Sequence, residues 1–329
     1  MDGERRQEGG VSAPPVIDIG GLRDAAAARD PALAATVVAS MRQACIGTGF
    51  FYIANHGVEP AAVERVFAES KRFFVQPAAL KESIAIKANR GYDGIGRQAL
   101  NEATGGDIKE SVMVGDDAIG PDHPAVLAGL PMHAPNQWPA GLPGWREAVQ
   151  GYFATMHELT QLLLGGLALS LELPWGFFEG QFDPSMSSLR LLHYPPHPTA
   201  DPEREVGCGA HTDWGLITVL AQDDIGGLEI QLPSGEWIGA KPVPGAFIVN
   251  IGDMMARWSN DRYTSTPHRV LNRSLRDRYS IAFFCDPAYH TRVECLPSCT
   301  GPDRPARYAP TTSGEHLAEM YRRTFGAAA

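Results

Sequence analysis

Apolar runs and amphipathic stretches alternate along the first half of the chain, whereas short apolar runs broken by turn formers fill most of the second. Pro15 to Ile19 (PVIDI) has the alternation of a strand. From about Pro31 to Cys45 an Ala-rich segment repeats its apolar residues at helical spacing, with Gly47 and Gly49 expected to stop it. The aromatic run Phe50 to Gly57 (FFYIANHG) predicts a strand, and Glu59 to Phe74 an amphipathic helix. Asn89 to Asn136 is rich in Gly, Asp, His and Pro without a sustained period, so long loops or irregular strands are expected. From Gly144 to Leu171 the residues Val149, Phe153, Met156, Leu159, Leu163 and Leu167 recur near one face of a long core helix, which Pro174 ends.

Beyond Ser187 the runs SLRLLHY, LITVLAQ, GLEIQL, EWIGA, AFIVNI, HRVLN and YSIAFF follow one another, separated by Gly, Pro, Asp and Asn. Many short strands with turn signals predict a sandwich or barrel. Ser313 to Phe325 predicts a closing amphipathic helix with Ser313 near its N-cap. The expected fold is therefore mixed α/β with a β-rich core. Its parts are a disordered tail (1–12), a mixed α/β region (13–143), a core helical segment (144–186), the β-rich core (187–300) and a C-terminal helix (301–329). No long linker separates them, so one integrated unit is expected.

Composition narrows the function. With 44% hydrophobic and 20% charged residues in 329, the chain has ordinary globular usage. Lys+Arg 28 against Asp+Glu 38 gives 28 − 38 = −10, with no basic run, which argues against nucleic acid or an anionic membrane as partner. Leu162 to Leu171 reaches only half of the ~20 residues that span a bilayer, so it reads as a buried helix. The opening MDGERRQEGG lacks an apolar stretch of the signal-peptide kind, and the cytoplasm is the expected compartment. Five scattered cysteines are expected to be reduced thiols.

Two clusters carry chemistry. HTD places His211 and Asp213 two apart, so on a strand both side chains would project to one side. His268, 268 − 213 = 55 residues later, begins another strand-like run and supplies a third donor. Two imidazoles and a carboxylate make the facial set that leaves iron(II) open for chemistry, although an isolated HxD is more often a surface pair. In RYS, Arg278 and Ser280 face one way on the next strand, and a guanidinium beside a hydroxyl suits a carboxylate. His290, Cys295 and Cys299 fit no common zinc spacing. Asn250 and Asp253 fit either a supporting role or a turn and stay outside the expected site. Trp214 is expected to face away from the ligands into the core.

The matching pieces GFFYIANHGV, RGY, DIKES, NQWP, LRLLHYPP, HTDWGLITVLAQDDIGGLEI, VNIGDMMARWSN and HRVLN through RYSIAFF run in order along most of the chain. On these the sequence resembles the isopenicillin N synthase-like family of iron(II)/2-oxoglutarate dioxygenases. The resemblance implies a double-stranded β-helix (jelly-roll) core with the N-terminal α/β region packed on it. It implies His211, Asp213 and His268 as iron ligands, and Arg278 and Ser280 as the clamp for the distal carboxylate of 2-oxoglutarate. Tyr194 falls where the family often has a further hydroxyl contact to that carboxylate, and Phe284 and the Tyr92 to Arg97 loop fall at pocket positions. The implied cofactors are Fe(II), 2-oxoglutarate and O2, with ascorbate as reductant in vitro. The implied reaction oxidises a small organic molecule by hydroxylation, desaturation or ring formation, with release of succinate and CO2. Two rivals are an iron oxidase that uses no 2-oxoglutarate and a non-catalytic jelly-roll with a structural metal. The open-sided triad counts against the latter, because structural sites are generally closed by a fourth protein ligand. Primary substrate and oligomeric state stay open at this point.

Overall fold

The computed structural model describes residues 13–100, 105–197 and 205–325, so the expected tail lies outside the described residues. Its strands are β1 (Val16–Asp18), β2 (Phe50–Ala54), β3 (Gly91–Asp93), β4 (Glu110–Val114), β5 (Ser188–Tyr194), β6 (Cys208–His211), β7 (Ile217–Gln222), β8 (Leu228–Gln231), β9 (Trp237–Gly239), β10 (Phe247–Ile251), β11 (His268–Val270), β12 (Arg278–Cys285), β13 (Arg292–Val293) and β14 (Thr311–Thr312). The α-helices are α1 (Gly20–Ala28), α2 (Ala35–Gly47), α3 (Pro60–Phe74), α4 (Ala78–Glu82), α5 (Pro124–Leu127), α6 (Trp145–Ser170), α7 (Asp253–Trp258) and α8 (Ser313–Phe325). An eight-stranded sheet runs β1-β2-β10-β7-β12-β5-β4-β3, and a four-stranded sheet runs β6-β11-β8-β9. From β5 to β12 the chain deals its strands between the two: β5, β7, β10 and β12 join the large sheet, and β6, β8, β9 and β11 the small one, while β13 and β14 pair apart. This is the expected jelly-roll. The N-terminal strands extend the large sheet at both edges, β2 pairing with β10 and β4 with β5.

The central strands of the large sheet are buried on both faces, which is why β7 and β10 read as nearly unbroken apolar runs. On β5, Leu189 and Leu191 join the core under the helices, whereas Leu192 and Tyr194 face the small sheet. On β12, Ile281 and Phe283 take the helical side and Ala282 the other. α6 closes the helical side, with Phe153 edge-on to Phe283 at 5.2 Å. Each such side chain contributes about 1.5–3 kcal/mol by burial. Polar residues on the opposite face, Arg190, Thr218, Arg278 and Ser280, are buried too, and they mark where the sheets enclose something other than a core.

Several expectations need correction. The helix expected from Pro31 begins as a 3-10 turn (Pro31–Ala34), and α2 continues to Gly47. The reversal falls at Gly49, at φ +66°, where a Cβ would stand 2.0 Å from the Thr264 carbonyl oxygen. α1 goes unannounced because it opens on two glycines, yet Leu22 and Ala25 anchor it in the core. Within the segment expected as loops, β4 is a five-residue strand paired with β5. Its polar Glu110 and Ser111 hide it from a hydrophobic pattern, and both are buried by partners on neighbouring elements. β6 (CGAH) escapes for the same reason. All five cysteines are free. Among the described residues no helix is long and apolar enough to cross a membrane.

Candidate functional site

β6 ends on His211, and Asp213 stands two residues beyond it in the link to β7, so the two do not share a strand as expected. The ligand atoms converge nonetheless. β11 pairs with β6 in a register that sets His268 opposite His211. Each imidazole Nε2 lies 3.8 Å from Asp213 Oδ1, and the donor atoms of the three residues lie within 4.8 Å of one another.

Hydrogen bonds fix the orientation. His211 Nδ1 lies 2.7 Å from the Gly209 carbonyl and His268 Nδ1 3.2 Å from that of Thr266. A carbonyl only accepts, so each Nδ1 carries the proton and each Nε2 turns a lone pair inward. Thr218 Oγ1 (2.6 Å) and Asn250 Nδ2 (2.7 Å) both donate to Asp213 Oδ2, which leaves Oδ1 facing the imidazoles. The Asp253 backbone N–H donates to the Asp213 carbonyl at 2.8 Å, and Asp253 Oδ2 accepts from Thr212 Oγ1 at 3.0 Å. Asn250 and Asp253, kept out of the expected site, thus hold its carboxylate loop. The legible sign was a buried Asn amid the apolar strand FIVNI.

Burial lowers the pKa of both imidazoles, that of His268 to about 4 with the neighbouring His211 adding to the effect. Burial alone would raise that of Asp213, but the two imidazoles and the bonds from Asn250 and Thr218 outweigh it and hold the carboxyl below its usual range. At neutral pH the cluster is two neutral imidazoles and one carboxylate on a single side of a cavity. That donor set fits a divalent cation with open coordination positions.

Arg278 begins β12, opposite Tyr194 in register. Its guanidinium is fully buried: Nε donates to the Gly226 carbonyl, Nη1 to Ser280 Oγ at 3.2 Å, and Nη2 is buried with no hydrogen-bond partner among the described residues. An unsatisfied buried N–H of a charged group costs upward of about 1–3 kcal/mol. A bound carboxylate would relieve it. Tyr194 meets the guanidinium with its ring face, 4.6 Å from the centroid. Arg278, Ser280, Tyr194 and all three donor residues line one cavity of about 70 Å³.

Lys109, Arg190 and Phe284 line it as well. Lys109 Nζ donates to the Asp107 carboxylate and to Cys208 Sγ at 3.2 Å, while Asp107 Oδ1 accepts the Gly209 N–H at 2.9 Å. Arg190 donates to Ser111 Oγ (3.0 Å) and Gln98 Oε1 (2.8 Å). Phe284 takes its expected place, but Tyr92 and Arg97 turn away, Tyr92 to Glu110 and Arg97 to Glu82. Trp214 packs against the main core and edge-on to Tyr321 at 4.8 Å, as expected. Among the described residues His290, Cys295 and Cys299 form no metal-binding group.

The chain is similar to proteins of known families. Residues 185–287 match the family model of the 2OG-Fe(II) oxygenase superfamily, and residues 14–141 match that of the non-haem dioxygenase in morphine synthesis N-terminal region. The 2-oxoglutarate-Fe(II) type oxidoreductase hxnY of Emericella nidulans is 38% identical over 96% of this chain and 92% of its own. Homoarginine-6-hydroxylase 2-ODD-233 of Oryza sativa is 36% identical over 95% of this chain and 98% of its own. A full-length Neurospora crassa protein, solved in complex with alpha-KG and thymine, superposes with a TM-score of 0.84 at 30% identity, covering 96% of this chain and 98% of its own.

Proposed function

Because the chain belongs to the 2OG-Fe(II) oxygenase superfamily, we propose that His211, Asp213 and His268 are its iron ligands and that Arg278, Ser280 and Tyr194 hold the 2-oxoglutarate. The protein is an Fe(II)- and 2-oxoglutarate-dependent oxygenase that oxidises a small organic molecule. The observation that carries the assignment is the pairing, in one cavity, of an open-sided triad with a buried guanidinium whose Nη2 lacks a partner. When bound, iron and 2-oxoglutarate supply the chemistry: O2 is reduced, succinate and CO2 leave, and the substrate is oxidised.

The protein's own groups do the holding. Arg278 and Ser280 bind the distal carboxylate, and the Tyr194 ring keeps the guanidinium flat against the wall. Thr218 and Asn250 keep one oxygen of Asp213 free for the metal. Leu192, Leu220, Leu228 and Val270 line the cavity and keep water from the reacting groups. Arg190 and Phe284 also line the cavity, and a guanidinium and an aromatic ring in its wall suit a flat or acidic small molecule. Regions 13–143, 144–186, 187–300 and 301–329 work as one catalytic unit, a reading supported by the sheet that β1 to β4 share with the jelly-roll.

The oxidase reading without 2-oxoglutarate leaves Arg278 Nη2 unexplained, as does a structural metal site. Calorimetric titration under argon tests the assignment. Metal-loaded wild type should bind 2-oxoglutarate, Arg278→Gln should bind metal normally and 2-oxoglutarate poorly, and His268→Ala should lose the metal. An Arg278→Gln protein that binds 2-oxoglutarate like the wild type would overturn it.

A further inference from the structure

Beside the metal cluster a lysine amine meets a cysteine thiol: Lys109 Nζ lies 3.2 Å from Cys208 Sγ, and both residues line the cavity. We propose that these two side chains form a reversible covalent link through one oxygen atom, N–O–S, when the cavity handles O2 without a primary substrate.

Three features carry the inference. The pair is sealed in, Lys109 being 3% and Cys208 5% exposed, so a reactive sulfur there meets the amine before any thiol from solution. Asp107, in contact with the same ammonium, can take the proton that must leave before nitrogen bonds to oxygen. O2 is a co-substrate of the established activity, so it reaches this cavity in the course of turnover. Cys208 is the cysteine that lines the cavity.

The step balances as one amine, one thiol and one O2 giving the link and one water. The S–H bond and one N–H bond break, and S–O and O–N bonds form. The second oxygen leaves as water with the two hydrogens. Sulfur and nitrogen each give up two electrons, and the four reduce O2. An inserted atom bridges a gap of this size with less movement than a direct S–N bond would require.

The consequence reaches the metal. The link discharges the amine, breaks its ion pair with Asp107, and ties β6, which ends on His211, to the segment before β4. A small thiol reductant would undo it once the pair opens to solvent. The cavity thereby gains an off state that appears when oxygen activation outruns substrate supply.

The test is peptide mass spectrometry on the iron-loaded wild type kept in air with 2-oxoglutarate and no primary substrate, beside an argon control and a sample reduced with dithiothreitol. Each is denatured, alkylated and digested. In the aerobic sample the peptides bearing Lys109 and Cys208 should appear joined, heavier than their sum by one oxygen less two hydrogens, with Cys208 not alkylated. Reduction should separate them and restore alkylation, and the argon sample should show neither change. Complete alkylation of Cys208 in the aerobic sample would overturn the proposal. So would its conversion to sulfinic acid with the Lys109 peptide unlinked, or a joined species without the added oxygen. Lys109→Arg keeps a cation beside Asp107 and should leave Cys208 alkylatable; if that variant does not fold, the wild-type masses still decide.

Discussion

Asn250 and Thr218 decide which oxygen of Asp213 is available, and that choice can be weighed by mutation. Asn250→Ala removes one of two donors to Oδ2 and frees the carboxylate to turn. Outer groups of this kind typically change metal affinity about 10–100-fold. The variant should therefore need more Fe(II) for half-maximal rate while approaching wild-type turnover at saturating metal. Arg278→Gln loses a charge-assisted bond of about 1.5–3 kcal/mol, so its KM for 2-oxoglutarate should rise about tenfold to a hundredfold in succinate-release assays. Asp286, just beyond the end of β12, is a third case. Burial, with Asp213 adding to it, raises its pKa from 3.8 to about 7, and its Oδ1 has no partner among the described residues. Between those values the folded chain holds a proton that the unfolded chain releases. Stability from this group is thus complete below about pH 4 and is lost as pH rises toward about 7, by a few kcal/mol on the scale of about 1.36 per pH unit. Melts of metal-free Asp286→Asn should lack that decline and exceed the wild type at pH 8. A wild-type Tm that falls no faster than the variant's across this window would sink the assignment.

At this scale the residues legible in the sequence were those whose geometry is local. His211 and Asp213 are two apart, Arg278 and Ser280 share a strand face, and spacing alone suggests each pair. Lys109, Arg190 and Asn250 reach the cavity only through strand order. The motifs DIKES, LRLLHYPP and VNIGD contain them, but a period in the sequence cannot say which strand lies beside β5 or β6. Tyr194 stands beside Arg278, and it does so through its ring face.

Among the elements, the turn into β8 shows how backbone shapes the cofactor end of the cavity. Gly226 offers its carbonyl to Arg278 Nε, and Gly227 sits at φ +89°, where a Cβ would stand 2.2 Å from the Leu271 carbonyl oxygen. Gly227→Ala combines a left-handed backbone with that clash, and each such strain costs on the order of 1–3 kcal/mol. It should lower Tm by several degrees and raise the KM for 2-oxoglutarate with metal binding less affected. An unchanged KM would mean that the turn does not position Arg278. The long helix α6 and the apolar strands were readable because burial on one or both faces leaves a clear pattern. β4, β6 and α1 were not, because polar pairs or glycines occupy the positions that the pattern uses.

For the whole molecule, a metal bound only in the folded state stabilises it by mass action. Chelation should lower Tm and abolish turnover; Fe(II) with ascorbate should restore both, whereas zinc should restore Tm alone by occupying the same donors. An enzyme fully active after exhaustive chelation would contradict the iron assignment. The mixed α/β architecture was legible as a class, but the single sheet shared by the N-terminal region and the jelly-roll was not, since its pairings join distant segments.

That shared sheet also sets an order of events during synthesis. The Tyr52 hydroxyl bonds to the Lys241 carbonyl across 189 positions of chain, and β2 waits for β10 as its antiparallel neighbour. His268 and Arg278 emerge later still, on β11 and β12. A ribosome-bound chain halted before them would carry His211 and Asp213 with no third donor, and a large sheet split between β7 and β5 for want of β12. Iron capture therefore belongs to the last stage of biogenesis, and the nascent chain must keep its unpaired strands from other chains until then.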